Sequence, residues 1–204
     1  MFNMRALTVC AAVIIAASMA LSACQSSESA QSAVAVGGTF EFHSPGGETA
    51  IFYPEEEREP VAQFSGPDLM NEGEKIGLAD FEGEIVVLNA WGQWCAPCRA
   101  EVDDLQRAHE ELQDNGTGTV FGINVRDYQR EAAQDFVVDN GVTYPSVYDP
   151  PFKYAAALGG VPSSVIPTTV ILDQEHRPAA VFLREVTDQD ILEVTRELEQ
   201  EASA

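Results

Sequence analysis

The chain has 204 residues, an apolar fraction of 45% and a formal net charge of −22, which suit one folded domain with short attachments. Nucleic acids and anionic membrane surfaces are bound by clusters of Lys and Arg, so 11 basic against 33 acidic residues exclude both as expected partners. The acidic residues are spread along the chain and predict a solvated, soluble surface, with a preference for basic partners as the lesser alternative.

The N-terminus has the features of a secretory signal. Arg5 precedes an apolar run, residues 6–20, that is too short to span a bilayer comfortably. Leu21-Ser22-Ala23-Cys24 resembles a bacterial lipobox, in which the cysteine becomes the lipidated first residue of the mature protein. The alternative is a soluble secreted protein cleaved nearby. We expect a signal peptide over residues 1–23, lipid on Cys24, and anchoring to the outer face of the bacterial cytoplasmic membrane.

A tether and a small extension follow the predicted signal. Residues 24–38 are mostly small and polar, which predicts a flexible tether. Two β-prone runs, residues 39–43 and 49–53, flank a Pro-Gly-Gly turn and predict a β-hairpin. A charged linker ends this extension, which we place at residues 39–60.

Residues 61–201 alternate strand and helix patterns. Short apolar runs predict buried strands, and apolar residues at helical spacing predict amphipathic helices. The predicted strands are 85–90, 120–125, 170–172 and 180–183, the last antiparallel, and the predicted helices are 98–115, 131–140 and 187–201. This alternation predicts an α/β domain around a central sheet.

Two cysteines stand between the first predicted strand and the first long helix. Because a helix N-terminus carries unpaired N–H groups and partial positive charge, Cys95 is expected to have a lowered thiol pKa and to be the exposed nucleophile. Cys98 follows on the same helical face and can reach back to Cys95. Pro97 falls in the first turn, where its missing N–H costs nothing.

Other chemistries fit this pair of cysteines less well. A zinc site needs two more ligands, which neither the remaining cysteines nor the histidines supply at a suitable spacing. A structural disulfide closing so small a loop would stabilise little. Peroxidases of the peroxiredoxin group carry Thr or Ser three residues before the attacking cysteine, where this chain has Gly92. We expect no metal and no cofactor.

The segment 89–101, Asn-Ala-Trp-Gly-Gln-Trp-Cys-Ala-Pro-Cys-Arg-Ala-Glu, resembles the membrane-tethered thioredoxin-like proteins called TlpA, ResA and DsbE. The resemblance continues through residues 144–149 and 165–173 and covers about residues 61–201. It implies a thioredoxin-like fold, with a central mixed sheet flanked by helices, and an extracytoplasmic thiol–disulfide oxidoreductase. It also implies a cis peptide bond between Ile166 and Pro167, facing the two cysteines.

Three further positions are interpreted through the same resemblance. Glu101 matches an acid that ResA-like relatives use near the active site, and the alternative is an ordinary glutamate on the helix surface. Asn89 stands where cytosolic thioredoxins have a buried acid. A proton relay through such an acid is therefore absent from this chain. Asp103 replaces a proline usual in the family, which leaves any kink there in doubt.

The partner surface is predicted to include Trp94, Ile166 and Pro167. The backbone of Ile166 would pair with an extended partner segment, much as a strand adds to a sheet edge. Trp91 is expected to have a packing role.

In the expected reaction, the Cys95 thiolate attacks a partner disulfide and Cys98 resolves the mixed disulfide, or the same exchange runs in the opposite direction. The resemblance favours reduction of apocytochrome c before haem attachment, with electrons from a membrane thiol donor. The first alternative is a disulfide oxidant in extracytoplasmic oxidative folding. The second is a non-catalytic binding module, against which the two intact cysteines argue.

Overall fold

The computed structural model describes residues 38–203. The predicted signal peptide, Cys24 and nearly all of the predicted tether therefore lie outside the described residues. The strands are β1 (Ala50–Phe52), β2 (Ser65–Pro67), β3 (Lys75–Gly77), β4 (Ile85–Trp91), β5 (Gly118–Asn124), β6 (Ser146–Tyr148), β7 (Thr168–Leu172) and β8 (Pro178–Phe182). The α-helices are α1 (Ala96–Asn115), α2 (Arg130–Asp139) and α3 (Asp188–Glu201).

Six strands form a mixed sheet in the order β1-β8-β7-β4-β5-β6, and β2 pairs with β3 separately. β4 runs parallel to β5 and β5 parallel to β6, whereas β7 is antiparallel to both β4 and β8. The predicted mixed sheet with flanking helices is thus confirmed, as is the antiparallel last strand.

The central strands are apolar on both faces because both faces are covered. Every residue of β4 and of β5 is buried. Alternate residues of β4, such as Ile85 and Val87, pack in one cluster with side chains of α1 and α3. Their neighbours Val86 and Leu88 pack in a second cluster on the opposite face, with residues of the 152–161 segment. Strands buried on both faces form continuous apolar runs in the sequence, which is why these two were predictable.

The ends of α1 and α3 carry the expected capping residues. Cys95 is the N-cap of α1, and Gly116, with φ 67°, closes its C-terminus in the left-handed region that favours glycine. Thr187 caps α3 by accepting the Asp190 backbone N–H at 3.2 Å, and Asp190 accepts the Thr187 N–H at 2.9 Å. α1 runs unbroken through Asp103.

The predicted hairpin over residues 39–53 is wrong. Its second arm exists as β1, but β1 pairs antiparallel with β8 at the edge of the main sheet. The first arm is not a strand: the Phe40 and Phe42 amides donate to the carbonyls of Pro60 and Gly159, at 3.2 and 2.9 Å. An isolated two-stranded hairpin is marginal in water, whereas the edge of a large sheet offers both backbone partners and a core.

Three short strands, β2, β3 and β6, were not predicted. Each has three residues, too few to show an alternating pattern. None of the helices within residues 38–203 has both the length and the apolar character that a bilayer span requires.

Candidate active site

Cys95 and Cys98 form a disulfide at the carboxyl end of β4, where α1 begins. The S–S distance is 2.10 Å and the two Cα atoms lie 5.3 Å apart. Because parallel β4 and β5 end together, with Trp91 opposite Asn124, the residues after β5 lie beside those that carry the cysteines. The disulfide therefore sits where two loops and a helix start converge.

The sulfur of Cys95 lies among backbone groups. The backbone N–H of Cys98 points at Cys95 Sγ from 3.2 Å, as an N-cap donor does. The carbonyl oxygen of Ile166 lies 3.7 Å from the same sulfur. The peptide bond between Ile166 and Pro167 is cis, which confirms that prediction. In the reduced protein the N–H and the helix start would both stabilise a thiolate on Cys95.

Exposure does not distinguish the two cysteines. Each has 3% of its surface exposed, and both belong to one buried cluster with Leu69, Trp91 and Ala133. The expectation that Cys95 is the exposed member of the pair is therefore wrong for the disulfide form. What separates the two sulfurs is their surroundings.

The two tryptophans of the motif have different roles. Trp91 is buried, donates from Nε1 to Ser146 Oγ at 3.3 Å and lies against Phe136, which confirms its packing role. Trp94 is 41% exposed beside the disulfide, and its Nε1–H donates to the Val125 carbonyl at 3.1 Å.

Gly92 makes the position of Trp94 possible. A Cβ atom on residue 92 would lie 2.3 Å from Trp94 Nε1 and 2.8 Å from the Val125 oxygen. The threonine or serine of a peroxiredoxin-type site therefore does not fit here, because the indole occupies its space. Gly92 thus opposes a peroxidase-type site on steric grounds as well as by its identity.

Asp127 is a site residue that the sequence analysis missed. Its carboxylate is 3% exposed and accepts the Gln93 backbone N–H at 2.9 Å and the Asn124 amide at 2.7 Å. It therefore ties the loop before Cys95 to the end of β5. The available signal was a buried strand followed directly by polar residues, at the edge where parallel strands end.

Glu101 is buried, so its interpretation as a helix-surface residue is wrong. It is 2% exposed and lies one helical turn beyond Cys98. Its two oxygens accept from the Asn89 side-chain amide and from the Val186 backbone N–H, each at 2.9 Å. Burial nevertheless dominates and raises the pKa of Glu101 to about 7.

Asn89 gives Glu101 a partner that can change role. Its amide nitrogen donates to Glu101 and, at 3.1 Å, to Thr169 Oγ1, while its amide oxygen has no hydrogen-bond partner among residues 38–203. Rotating the amide by half a turn would present the oxygen to a protonated Glu101. Asn89 and Glu101 can thus keep a hydrogen bond to each other whether Glu101 is charged or neutral. This suits a carboxyl group that takes up and releases a proton.

The other predicted partner residues flank the disulfide. Ile166 is half-buried and packs against the cluster that holds both cysteines, while Pro167 is buried directly before β7. Over residues 38–203, no three His, Cys, Asp or Glu side chains come together as metal ligands would.

Comparison with known proteins identifies close relatives. The AhpC/TSA family model matches residues 58–177. A secreted thiol-disulfide isomerase from Corynebacterium glutamicum is 65% identical, over 79% of this chain and 98% of its own, with a TM-score of 0.78. A DsbF homologue from Corynebacterium diphtheriae is also 65% identical, over 78% and 99%, with a TM-score of 0.75.

A more distant similarity leads to the family named from the sequence. The thiol-disulfide oxidoreductase ResA of Halalkalibacterium halodurans is 29% identical over 144 residues, which are 71% of this chain and 78% of that protein. The suspected relationship to thioredoxin-like thiol–disulfide oxidoreductases is thereby confirmed.

The raised pKa of Glu101 predicts a specific pH dependence of stability. Between the ordinary glutamate pKa of 4.5 and the folded-state pKa of about 7, the folded protein holds a proton that the unfolded chain has released. The free energy of unfolding of the oxidised protein should therefore fall as pH rises through this window, by up to about 3 kcal/mol. Urea denaturation at several pH values measures this fall.

Glu101→Gln should abolish this contribution to the slope of the unfolding free energy against pH. Glu193→Gln, which changes an exposed glutamate on α3, should leave that slope unchanged. An unchanged slope in Glu101→Gln would show that Glu101 is charged throughout the window.

Proposed function

This chain belongs to the AhpC/TSA family and is a thiol–disulfide oxidoreductase. We propose that it forms and rearranges disulfide bonds in proteins outside the cytoplasm. The support is the 65% identity with a secreted thiol-disulfide isomerase over nearly all of that protein's length. The observation that carries the exchange chemistry is the placement of Cys95 Sγ at the N-cap of α1, with a backbone N–H at 3.2 Å; the direction rests on the similarity to the isomerase. Stabilising the reduced form of the pair makes its disulfide a better oxidant.

In this direction a partner thiolate attacks Cys95 Sγ. The Cys95–Cys98 bond breaks, Cys98 leaves as a thiolate, and a mixed disulfide joins the partner to Cys95. A second partner thiolate then attacks the partner's sulfur in that bond, which forms the partner disulfide and releases Cys95 as a thiolate. Two electrons pass from the partner to the enzyme, and the helix start stabilises the Cys95 leaving group.

Glu101 is proposed to exchange a proton with Cys98. It lies one helical turn from Cys98, and its pKa of about 7 allows it to give or take a proton near neutral pH. Asn89 would follow the change by turning its amide. This pair would take the place of the buried acid that is absent at residue 89.

The partner segment is proposed to lie along Ile166. Its carbonyl is 3.7 Å from Cys95 Sγ, so backbone pairing there would hold a partner cysteine beside the disulfide. Exposed Trp94 would supply an apolar contact on the other side of the site, with buried Pro167 supporting the Ile166 backbone. Recognition of backbone tolerates many partner sequences, as a general oxidoreductase requires.

A second candidate is the reduction of apocytochrome c with electrons from a membrane thiol donor. It is favoured by the similarity to ResA and by the motif around the cysteines. The same atoms would run the exchange in reverse, with the Cys95 thiolate attacking the partner disulfide. The non-catalytic binding module has no support, since both cysteines are present and paired in a disulfide.

The proposed setting is the outer face of the cytoplasmic membrane. Lipid on Cys24 would hold the domain there, with residues 25–38 as the tether. The support is the lipobox-like sequence behind a signal pattern and the description of the Corynebacterium glutamicum relative as secreted.

The two cysteines should differ in trapping experiments. With Cys98→Ser, attack of Cys95 on a disulfide peptide cannot be resolved, so a mixed disulfide should accumulate. With Cys95→Ser, accumulation at mildly acidic pH should be at least about tenfold slower, because Cys98 lies inside the first turn and does not have the N-cap hydrogen bond of Cys95. Intact-mass analysis over time measures both rates. Equal rates, or a faster Cys95→Ser protein, would reverse the two roles.

The direction of exchange should be visible in the redox equilibrium. Equilibration of the purified domain with glutathione buffers, read by quantifying free thiols, should give a potential between about −120 and −180 mV, as for known oxidants and isomerases. The protein should also oxidise a reduced two-cysteine peptide. A potential near about −270 mV would overturn this proposal and favour apocytochrome c reduction.

The lipid anchor should depend on a single residue. Expressed in a bacterial host, the wild-type protein should partition with membranes, and its mature mass should correspond to a chain that starts at a lipidated Cys24. Cys24→Ala should release the protein into the soluble extracytoplasmic fraction. Equal membrane association of Cys24→Ala would refute the anchor.

A further inference from the structure

The arginines of this acidic chain fall into two groups. Five of the eight within residues 38–203 form ion pairs with carboxylates: Arg58, Arg107, Arg177, Arg184 and Arg196. The other three, Arg99, Arg126 and Arg130, have no carboxylate of the described residues at ion-pair distance. All three come from segments next to the disulfide.

In two of these three guanidinium groups, most N–H donors make no hydrogen bond to any of residues 38–203. Arg130 donates to the backbone carbonyls of Asp68 and Leu69 and lies over the Tyr148 ring, so it is committed to the fold. Exposed Arg99 makes one weak contact, from Nη1 to the Gln93 carbonyl at 3.3 Å. Exposed Arg126 donates once, from Nη2 to the Ser163 carbonyl at 2.7 Å.

Arg126 is held in place beside the disulfide. Its φ of 58° puts it in the left-handed region, which is costly for a residue with a side chain. Its backbone N–H donates to the Pro150 carbonyl at 2.9 Å, and its guanidinium carbon lies 5.7 Å from the centre of the Trp94 ring. Through Ser163 it also contacts the loop that leads to Ile166. The side chain therefore connects both sides of the site.

Exposed aromatic rings accompany these charges. Trp94 is 41% exposed and Tyr128, two residues beyond Arg126, is 78% exposed. Trp, Tyr and Arg are the residues most enriched at the energetic centres of protein interfaces. A positive, aromatic patch beside the reactive sulfur is thus a surface suited to a polypeptide partner.

We propose that Trp94, Arg99 and Arg126 form a docking surface for acidic side chains that flank the partner's reactive cysteine. Arg126 would bind a partner carboxylate through its unused N–H donors while Trp94 supports its guanidinium group. The proposal rests on thiol–disulfide exchange at Cys95 and not on its direction, so it holds for an oxidant and for a reductase.

The net charge of −22 does not oppose this local preference. At physiological ionic strength the Debye length is about 8 Å, so distant surface carboxylates are largely screened from the partner segment. A carboxylate in contact with Arg126 is not screened in this way. The surface as a whole repels acidic proteins at low salt, yet the site selects acidic neighbours of the cysteine.

The test uses the full domain and three short disulfide-linked peptides, with Glu, Gln or Lys on both sides of the cysteine. Stopped-flow measurement gives the rate at which the reduced protein reduces each peptide. Because flanking charge alters the leaving thiol itself, each rate is divided by the rate of the same peptide with dithiothreitol. The normalised rate should be about fivefold higher for the Glu peptide than for the Lys peptide.

Variants assign this preference to the patch. Arg126→Gln should lower the Glu-to-Lys ratio toward one, and Arg126→Glu should invert it in favour of the Lys peptide. The Arg126→Glu protein should also reduce the Lys peptide faster than the wild-type protein does, a gain that a merely misfolded protein cannot give. The matched control is Arg196→Gln, on α3 and paired with Glu111, which should keep the wild-type ratio.

A wild-type ratio at or below one, or a ratio that survives Arg126→Glu, would overturn the proposal. Its failure is distinct from failure of the proposed function. Discrimination among peptides does not depend on the redox potential. If the potential proved to be reducing, the proposed oxidant function would fail, but an inverted ratio in Arg126→Glu would still support the docking surface.

Discussion

The parallel pairing of β4 with β5 is the constraint on which the site depends. Its register ends both strands together, with Trp91 beside Asn124, so the loop that carries Cys95 and the loop that carries Asp127 are forced into contact. The hydrogen bonds of Asp127 and Val125 to the Cys95 loop follow from this adjacency. The same edge places the start of α1, with its unpaired N–H groups, under the reactive sulfur.

Two buried carboxylates near the disulfide, those of Asp127 and Glu101, have different kinds of hydrogen-bond partners. Asp127 is fixed by two donors and holds the loop in place. Glu101 also accepts two hydrogen bonds, yet burial leaves its pKa at about 7, and the amide oxygen of its partner Asn89 is unpaired within the described part of the chain. Fixed donors are suited to positioning, whereas a carboxyl group with a partner that can turn is suited to proton exchange.

Local sequence was enough for prediction wherever local physics decides the outcome. The strands of the core, the helix caps at Cys95 and Thr187 and the redox motif all follow from periodicity or from residue types at fixed spacing. The cis bond at Pro167 came from the family resemblance. The hairpin failed because β1 pairs with a strand more than a hundred residues away, and Asp127 and Arg126 were missed because their contacts depend on which strands lie side by side.

The asymmetry between the two cysteines arises from charge and not from access. Both are 3% exposed, so neither is presented to a partner more than the other in the disulfide. Around Cys95 lie the helix start and the Cys98 N–H, both of which favour negative charge on sulfur. On the helical face of Cys98, one turn away, lies a carboxyl group that disfavours such charge whenever it is ionised. The surroundings of the two sulfurs therefore differ, and in the proposed reaction they favour Cys95 as the sulfur that joins the partner.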